Sequence, residues 1–349
     1  MNFASDNWAG ASEKVLGALV SEARQFGEPY AGGPAVHASG QRLSDLFECE
    51  VAAFLVGTGT AANALALSAF ARPGGVVFAH RASHAASEEC GAPEFFGAGL
   101  KMVGLGGERG KIAAADLGDA ISEHANAAIK RGRPAAVSIS QITELGAVYR
   151  PNEIAELAEV ARSGRIALHM DGARFANALV ALGCAPADIT WRAGVDVLSF
   201  GGTKNGCVGV EAVIFFDPGS AAEFPFIRKR AGHLLSKARL SAAQLTAYLA
   251  DDHWLDLAAN ANAMAKRLAR GLAHKPGVRL PEAPEANEIF PIFKTEVADR
   301  LRKAGAKFSD WPIWALDAGR KPGPGETTVR LVASFATTAD DVDRFLDLL

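Results

Sequence analysis

The stretch from Ala167 to Gly206 constrains the fold most, because it contains two short apolar runs that each lead to a polar segment. The first run, Ile166 to Leu168, leads to Asp171. The second run, Val195 to Phe200, leads to Lys204. Short apolar runs of this kind predict buried strands of a parallel sheet, and ligands of open α/β sheets bind beyond the carboxyl ends of the strands. The sequence therefore predicts an α/β protein in which a carboxylate and an amine reach the same bound molecule.

An aspartate and a lysine on opposite sides of one ligand fit pyridoxal phosphate. A lysine amine condenses with the aldehyde of this cofactor to form a Schiff base, and a buried carboxylate keeps the pyridine nitrogen protonated. Small or polar residues near Lys204, including Ser199, Thr203 and Asn205, leave room for a ring and supply donors for a phosphate. We therefore predict the cofactor on Lys204 with Asp171 at the ring nitrogen. The alternative is that both side chains lie on the surface.

Composition limits the other classes of function. A chain of 349 residues with 49% hydrophobic and 21% charged residues is typical of a globular protein with one large and one smaller domain. A net charge of −3 without charge blocks argues against nucleic acid or an anionic membrane as a partner. The four cysteines lack CxxC spacing, so neither a metal site nor a disulfide framework is predicted. With no signal peptide and no run near ~18 apolar residues, we expect a cytoplasmic protein.

The segment Gly57 to Ala62, GTGTAA, follows an apolar run and precedes a helical pattern. Backbone N–H groups at a helix start form an anion site, so Gly59 and Thr60 are candidates to hold the cofactor phosphate. The segment also matches GxGxxA, the dinucleotide fingerprint of NAD-dependent dehydrogenases. That fingerprint requires an acidic residue at the end of the next strand, and the run Val76 to His80 ends without one. The sequence therefore favours the phosphate interpretation.

Four segments together, HMDGARFANAL, GVDVLSFGGTKNG, TGTAANALAL and RLVASFATT, resemble the low-specificity L-threonine aldolases and phenylserine aldolases of the β-eliminating lyase superfamily. The resemblance extends from about Phe3 to the C-terminus. It implies the fold-type I architecture of pyridoxal-phosphate enzymes, with a large, doubly wound, mostly parallel sheet. The expected domains are residues 1–245, including an N-terminal arm of residues 1–12, and a small α+β domain of residues 246–349. The resemblance also implies a homo-oligomer, a dimer of dimers with shared active sites.

The activity implied by the resemblance is that of an aldehyde lyase. Such an enzyme cleaves the Cα–Cβ bond of L-threonine, L-allo-threonine or phenylserine-like β-hydroxy amino acids and releases glycine and an aldehyde. Three alternatives stay open: another reaction on the same scaffold, such as β-elimination or transamination, the NAD-dependent dehydrogenase, and a non-catalytic cofactor-binding protein. The sequence ranks neither the substrates nor their threo and erythro forms.

The resemblance also assigns cofactor and catalytic residues. His84 is expected to stack on the pyridine face and to carry protons at the substrate hydroxyl, so Lys204, His84 and Asp171 form the predicted catalytic set. Arg174 and Arg239 are expected to contact the cofactor in addition to Ser199, Gly59 and Thr60, with Arg239 reaching across a subunit boundary.

Arg330 lies in the apolar run TVRLVASF, where an arginine needs a partner. Its planar guanidinium can bind a carboxylate through two hydrogen bonds, and by the resemblance the substrate supplies that carboxylate. Ser5 and Arg174 are expected to anchor the same group, and Tyr30 is expected to reach the ring or a neighbouring subunit. The stretch 308–328, rich in Trp, Pro and Gly, is expected beside the cleft.

Two positions depart from the family pattern. Gly32 and Gly33 replace the usual acidic pair, which removes charge near the mouth of the site or at a subunit contact. Relatives also carry a histidine just before the proline at 134, whereas this chain has Arg133 there. The residue that removes the β-hydroxyl proton is therefore the open assignment.

Overall fold

The structure is a computed structural model that describes residues 1–316 and 318–349. Its strands, numbered in chain order, are β1 Ala52–Val56, β2 Gly75–His80, β3 Lys101–Leu105, β4 Arg133–Ser140, β5 Ala167–Gly172, β6 Val197–Gly201, β7 Glu211–Phe215, β8 Val278–Arg279, β9 Glu288–Ile289, β10 Ile292–Lys294, β11 Ser309–Asp310 and β12 Glu326–Val332.

The α-helices are α1 Glu13–Ala23, α2 Pro34–Phe47, α3 Gly59–Ser68, α4 His84–Ser87, α5 Ala92–Phe96, α6 Ala114–Asn126, α7 Ala128–Arg131, α8 Pro151–Ser163, α9 Phe175–Leu182, α10 Phe224–Arg230, α11 Ala238–Leu249, α12 His253–Leu272, α13 Thr295–Lys303 and α14 Ala339–Asp347. None of the described helices combines the length and the apolar character that crossing a membrane requires.

The large sheet has the strand order β1-β7-β6-β5-β4-β2-β3. Strands β3, β2, β4, β5 and β6 run parallel, and β7 is antiparallel to both of its neighbours. The helices cover both faces, since neighbouring strand residues join different cores: Leu198 packs with α11 residues, whereas Val197 packs with α3 and α10 residues. The predicted α/β class and mostly parallel, doubly wound sheet are confirmed.

The small C-terminal sheet is antiparallel and consists of β11, β12, β10 and β8, with β9 pairing on β12. The N-terminal arm belongs to this part of the molecule. Phe3 donates its backbone N–H to the Lys307 carbonyl (2.8 Å) and accepts from Val332 (2.9 Å), and its side chain is buried with Phe345. The arm therefore runs from the small sheet to the large domain.

Helix α12 joins the two parts. Trp254 and Ala258 at its start are buried in the core of the large domain, and Ala265 and Leu268 further along are buried in the small-domain core. The predicted boundary after residue 245 lies within α11, whose Leu245 packs in the large-domain core. The division into two domains at that residue stays a prediction.

The turn that carries Lys204 depends on two glycines. Gly201 ends β6 beside the chain that follows β5, and a Cβ there would lie 2.7 Å from the Ala173 carbonyl oxygen. Gly206 has φ +111°, and a Cβ there would lie 2.8 Å from Leu257 Cδ1. Both positions therefore exclude a side chain, the first by close backbone approach and the second by conformation as well.

Gly206→Ala tests this requirement. We expect the variant to lose about 1–3 kcal/mol of stability, because a left-handed conformation and a contact with a buried helix are both strained by a methyl group. The midpoint of thermal unfolding should fall below that of Gly209→Ala, whose added methyl group meets open space at an ordinary backbone conformation. Equal midpoints for the two variants would contradict the assignment.

Candidate active site

A cleft lies at the carboxyl edge of the parallel strands, where the predicted sheet places ligands. Its inner part has a volume of about 340 Å³ and its outer part about 320 Å³. Both parts share four lining residues, which are Asn7, His84, Glu144 and Lys204. The two parts therefore form one continuous space, with the lysine at the junction.

Asp171 lies at the end of β5 and lines the inner part. Its carboxylate is buried and held at both oxygens: Oδ1 accepts a hydrogen bond from the Ala173 backbone N–H (3.0 Å), and Oδ2 accepts one from Asn63 Nδ2 (2.8 Å). A carboxylate oxygen has more than one acceptor site, so Asp171 can accept a further donor from the inner part.

Lys204 lies in a single 3-10 turn, Thr203–Asn205, that follows β6. The turn is fixed from below by Asn205, whose Nδ2 donates to the Tyr248 hydroxyl (2.8 Å) and to the Trp254 carbonyl (2.8 Å). The ends of β5 and β6 thus bring Asp171 and Lys204 to the same cavity, as the spacing of the two apolar runs predicts.

The start of α3 forms one wall of the inner part. Thr58 caps the helix by accepting from the Ala61 N–H (3.1 Å), and Gly59 and Thr60 line the cavity. The first N–H groups of a helix have no partner within the helix, and they lie at the positive end of its dipole. This wall is therefore suited to an anionic group such as a phosphate.

Glu211, at the start of β7, is a further inner residue that the sequence analysis did not single out. Its Oε2 accepts from the Gly202 N–H (2.9 Å). Burial raises the pKa of Glu211 to about 7, so this carboxyl group changes its charge near neutral pH. It lines the same part of the cleft as the start of α3.

His84 begins α4 and lines both parts of the cleft. Its Nδ1 lies 2.8 Å from Glu89 Oε1, and the same oxygen accepts from Asn63 Nδ2 (2.8 Å). The hydrogen bond to Glu89 raises the pKa of His84, although burial opposes the shift. The sequence analysis singled out neither Asn63 nor Glu89: the partners of Asn63 are distant in the chain, and Glu89, although close to His84, lies in a polar segment without a recognisable motif.

Arg174 lines the outer part, but its guanidinium is already engaged. Nε and Nη2 donate to the two oxygens of Asp6 at 2.7 and 3.0 Å, and Nη1 lies 3.4 Å from Glu288 Oε1. Burial acts to raise the pKa of Asp6, but the charges of Arg174 and Lys204 and the hydrogen bonds from Arg174 and Asn287 together outweigh it and lower the pKa to about 2. The structure therefore places Arg174 away from the inner, predicted cofactor part, with its planar fork occupied by Asp6.

Arg330, on β12, reaches the outer part from the small domain. Its guanidinium stacks on the Trp311 ring at 4.6 Å, and its Nη1 lies 3.7 Å from Glu288 Oε1. Among the described residues, Arg330 Nε is buried without a hydrogen-bond partner. Arg330 is therefore the arginine of the cleft that retains donors for a carboxylate, and Ser5 lines the same outer part.

The aromatic stretch expected beside the cleft contributes Trp311, Pro312, Trp314 and Ala315 to the outer wall. Of this stretch, Asp317 lies outside the described residues. The wall gives the outer part an apolar side across from Arg174.

Three predicted site residues do not line the described cleft. Ser199 is buried within β6, two residues before the strand ends, and its hydroxyl lies 2.9 Å from His169 Nε2. The Tyr30 ring lies under Lys229 Nζ at 4.9 Å, in an exposed loop. Arg239 donates to the carbonyls of Glu22 (3.2 Å) and Gln25 (3.0 Å) at the end of α1. None of the three therefore contributes to the cleft of its own chain, and the expected roles of Tyr30 and Arg239 across a subunit boundary stay predictions.

The position before Pro134 also lies away from the cleft. Arg133 is the first residue of β4, and its backbone N–H donates to Gly74 at the start of β2, the edge of the sheet opposite the cleft. The carboxyl end of the same strand instead leads to Glu144, which lines both parts of the cavity. A histidine at position 133, where relatives carry one, would therefore not reach this site.

The ion pair between Asp6 and Arg174 gives a pH prediction. A carboxyl group with a pKa of about 2 in the folded state, below its ordinary 3.8, contributes stability above pH 4 that is lost as pH falls through 2. We expect Asp6→Asn to cost about 2 kcal/mol or more at pH 7 and to flatten the loss of stability between pH 5 and 2.

Thermal unfolding midpoints across this pH range measure both effects. Asp119→Asn, at an exposed position of α6, is the matched control and should follow the wild type at every pH. If the unfolding midpoints of Asp6→Asn and the wild type changed with pH in the same way, the prediction would be wrong.

Comparison with known proteins adds family information to this geometry. The profile of the family described as Beta-eliminating lyase matches residues 2–296. Two curated relatives bear the name low specificity L-threonine aldolase: one from Pseudomonas aeruginosa is 39% identical over 306 residues, and one from a Pseudomonas species is 38% identical over 306 residues. Each alignment covers 88% of this chain and 88% of the relative.

Solved structures agree with these matches. A threonine aldolase from Leishmania major superposes with a TM-score of 0.89 at 26% identity, covering 99% of this chain and 98% of that one. A putative L-allo-threonine aldolase from Listeria monocytogenes superposes with a TM-score of 0.72 at 18% identity and covers 100% of this chain and 95% of that one, which supports the fold alone.

Proposed function

The chain belongs to the β-eliminating lyase family and is a pyridoxal-phosphate-dependent lyase, and from this premise we propose that it cleaves β-hydroxy-α-amino acids to glycine and an aldehyde. L-Threonine, L-allo-threonine and phenylserine-like compounds are the proposed substrates. Membership of this family rules out the dehydrogenase interpretation of the GxGxxA segment.

The inner part of the cleft fits the cofactor by its donor set. Lys204 offers an amine, Asp171 offers a buried carboxylate with a free acceptor site, and Gly59 and Thr60 offer N–H groups at the start of a ten-residue helix. These residues would hold the aldehyde carbon, the ring nitrogen and the phosphate, respectively. When bound, the cofactor supplies an electron sink for the bond that breaks at Cα. This meeting of three complementary groups in one cavity is the observation that carries the proposal.

The residues of the outer part orient the substrate. Arg330 binds the carboxylate through its free donors, and Ser5 and Arg174 line the same part of the cleft, with Arg174 held in place by its pair with Asp6. A carboxylate fixed on this side and an amine near Lys204 leave the β-carbon and its hydroxyl on the side of His84. His84 then accepts the hydroxyl proton at the ring nitrogen that Glu89 does not occupy.

This set of residues favours aldol cleavage over the other reactions of the scaffold. Cleavage at Cα–Cβ needs a proton acceptor at the β-hydroxyl, and His84 lies at the junction of the two parts. Transamination or β-elimination would instead yield a keto acid, so product analysis separates the reactions. The test is to incubate the purified enzyme and cofactor with several β-hydroxy amino acids and to assay glycine and aldehyde. A keto acid in place of glycine would overturn the proposal.

We further propose a homo-oligomer, a dimer of dimers with shared sites. Large exposed apolar side chains such as Trp8, Phe26 and Phe226 support this assembly, since burial in a partner would remove them from water. Tyr30 and Arg239 lie outside the cleft of their own chain, and in this assembly they act at the site of a partner. The cytoplasmic location expected from the sequence stays a prediction.

Lys204→Ala tests the cofactor link. We expect the variant to lose both the Schiff-base absorbance and glycine release, because no other amine lines the described inner cavity. Absorbance spectra and glycine assays measure the two effects, with Lys237→Ala, on the segment before α11, as the control. Retained cleavage in Lys204→Ala would contradict the assignment.

Arg330→Lys tests carboxylate recognition. The variant keeps the charge but loses the planar fork, so we expect KM to rise by about 10-fold to 100-fold, the equivalent of one charge-assisted hydrogen bond. Steady-state kinetics with L-threonine measure KM, and Arg344→Lys, exposed on α14, should match the wild type. A KM unchanged by Arg330→Lys would remove this residue from substrate binding.

A further inference from the structure

Glu89 is a buried carboxylate for which the proposed reaction has no direct use. It lies between α4 and α5, is 4% exposed, and is absent from the lining of both parts of the cleft. Burial raises the pKa of Glu89, so keeping this carboxylate ionised costs free energy. Its Oε2 has no hydrogen-bond partner among the described residues. A buried carboxylate that accepts hydrogen bonds at only one of its oxygens is not explained by packing alone.

That oxygen, Oε1, fixes the tautomer of His84. An ionised carboxylate only accepts hydrogen bonds, so His84 Nδ1, at 2.8 Å, must carry a proton and donate it. The other ring nitrogen, Nε2, is then an unprotonated acceptor in neutral His84. Because His84 lines both parts of the cleft, this acceptor is available where the two parts meet.

Asn63 links Glu89 Oε1 to Asp171, the residue proposed to contact the cofactor ring. The amide nitrogen of Asn63 has two protons, and its two contacts are Glu89 Oε1 and Asp171 Oδ2, both at 2.8 Å. Asn63 is buried within α3, so it cannot turn away from these acceptors without leaving a buried amide unpaired. Three hydrogen bonds therefore connect His84 to Asp171, with Glu89 at the centre.

We propose that Glu89 is a positioning residue for proton transfer: it holds the His84 ring with Nε2 open to the substrate hydroxyl and stabilises the imidazolium that forms there. The inference rests on the proposed function. In the step concerned, the O–H bond of the β-hydroxyl breaks and an N–H bond forms at Nε2. The electron pair left on oxygen becomes the second bond of the aldehyde as the Cα–Cβ bond breaks, and the Nδ1 proton stays on His84 toward Glu89. The electron pair of the Cα–Cβ bond stays with Cα, where the bound cofactor would delocalise it until Cα takes up a proton to give glycine.

The electrostatic surroundings of His84 agree with this role. Apart from Glu89, the charged groups that act on the pKa of His84 are Glu144 after β4 and Asp171 at the end of β5. The cleft that His84 lines also contains the charged side chains of Glu88, Arg174, Lys204, Glu211, Asp310 and Arg330. Glu144 and Asp171 raise the pKa of His84 further, yet the hydrogen bond to Glu89 is the largest single cause. Removing the charge of Glu89 should therefore lower the pKa of His84 even while Glu144 and Asp171 remain.

Glu89→Gln tests the proposal, since glutamine keeps the shape of the side chain and removes its charge. The matched control is Glu159→Gln, at an exposed position of α8. The first readout is the titration of His84 in histidine-labelled protein by NMR, with His84→Asn to identify its signal. We expect a wild-type midpoint above the ordinary ~6.5 and a lower midpoint in Glu89→Gln. Glu159→Gln should titrate like the wild type.

The second readout is kinetic. We expect kcat for L-threonine cleavage to fall by about 10-fold or more in Glu89→Gln, a part of the ~10²–10⁴-fold that positioned proton transfer contributes. The acidic limb of kcat/KM should move to lower pH, in the same direction as the His84 midpoint. Exchange of the glycine α-proton in D2O involves no hydroxyl, so its rate should stay close to that of Glu159→Gln.

Other outcomes separate the possible failures. A folded Glu89→Gln enzyme with an unchanged His84 midpoint and an unchanged acidic limb overturns the proposal, and so does an equal loss of cleavage and of α-proton exchange. If the wild type released no glycine while the His84 midpoint still moved, the proposed function would fail and the positioning of the ring would stand. Should Glu89→Gln not fold, Glu89→Asp replaces it, with a His84 midpoint above ~6.5 expected because the charge remains.

Discussion

The buried contact between Asp6 and Arg174 is the interaction on which the cleft depends. Asp6 comes from the N-terminal arm, Arg174 follows β5 of the large sheet, and Glu288 and Arg330 add strands of the small domain to the same cluster. Charges removed from water are costly, and a bidentate pair with further hydrogen bonds offsets that cost. Asn287 completes the shell by donating to Asp6 at 3.2 Å. Three separate parts of the chain therefore share one electrostatic centre.

The sequence predicts the scaffold well because each strand of a parallel sheet can be recognised from the residues within it. The runs that end near Asp171 and Lys204 are short and mostly apolar, and both lie in the structure as parallel neighbours whose ends meet. The start of α3 is equally local, since a glycine and a capping threonine mark it. These features need only the chain immediately around them, and they account for the inner half of the site.

The rest of the site depends on distance in space. Ser199 is five residues from Lys204, but its side chain contacts His169 within the sheet. The sequence does not show at which residue a strand ends, so closeness to Lys204 in the chain does not place Ser199 in the cleft. Asn63, Glu89 and Glu144 come from three different loops or helices, and their polar character is ordinary for a turn or helix surface. Arg133, at the position where relatives carry a histidine, illustrates the same limit, because a residue next to a strand can lie at either end of the sheet.

Helix α12 contributes side chains to both hydrophobic cores without a break, from Trp254 to Leu268. A rod embedded in two cores resists bending, so reorienting one domain against the other would expose buried surface in at least one of them. Any change in the angle between the two parts must therefore be absorbed by this helix or by the packing of one core, and not by a flexible linker.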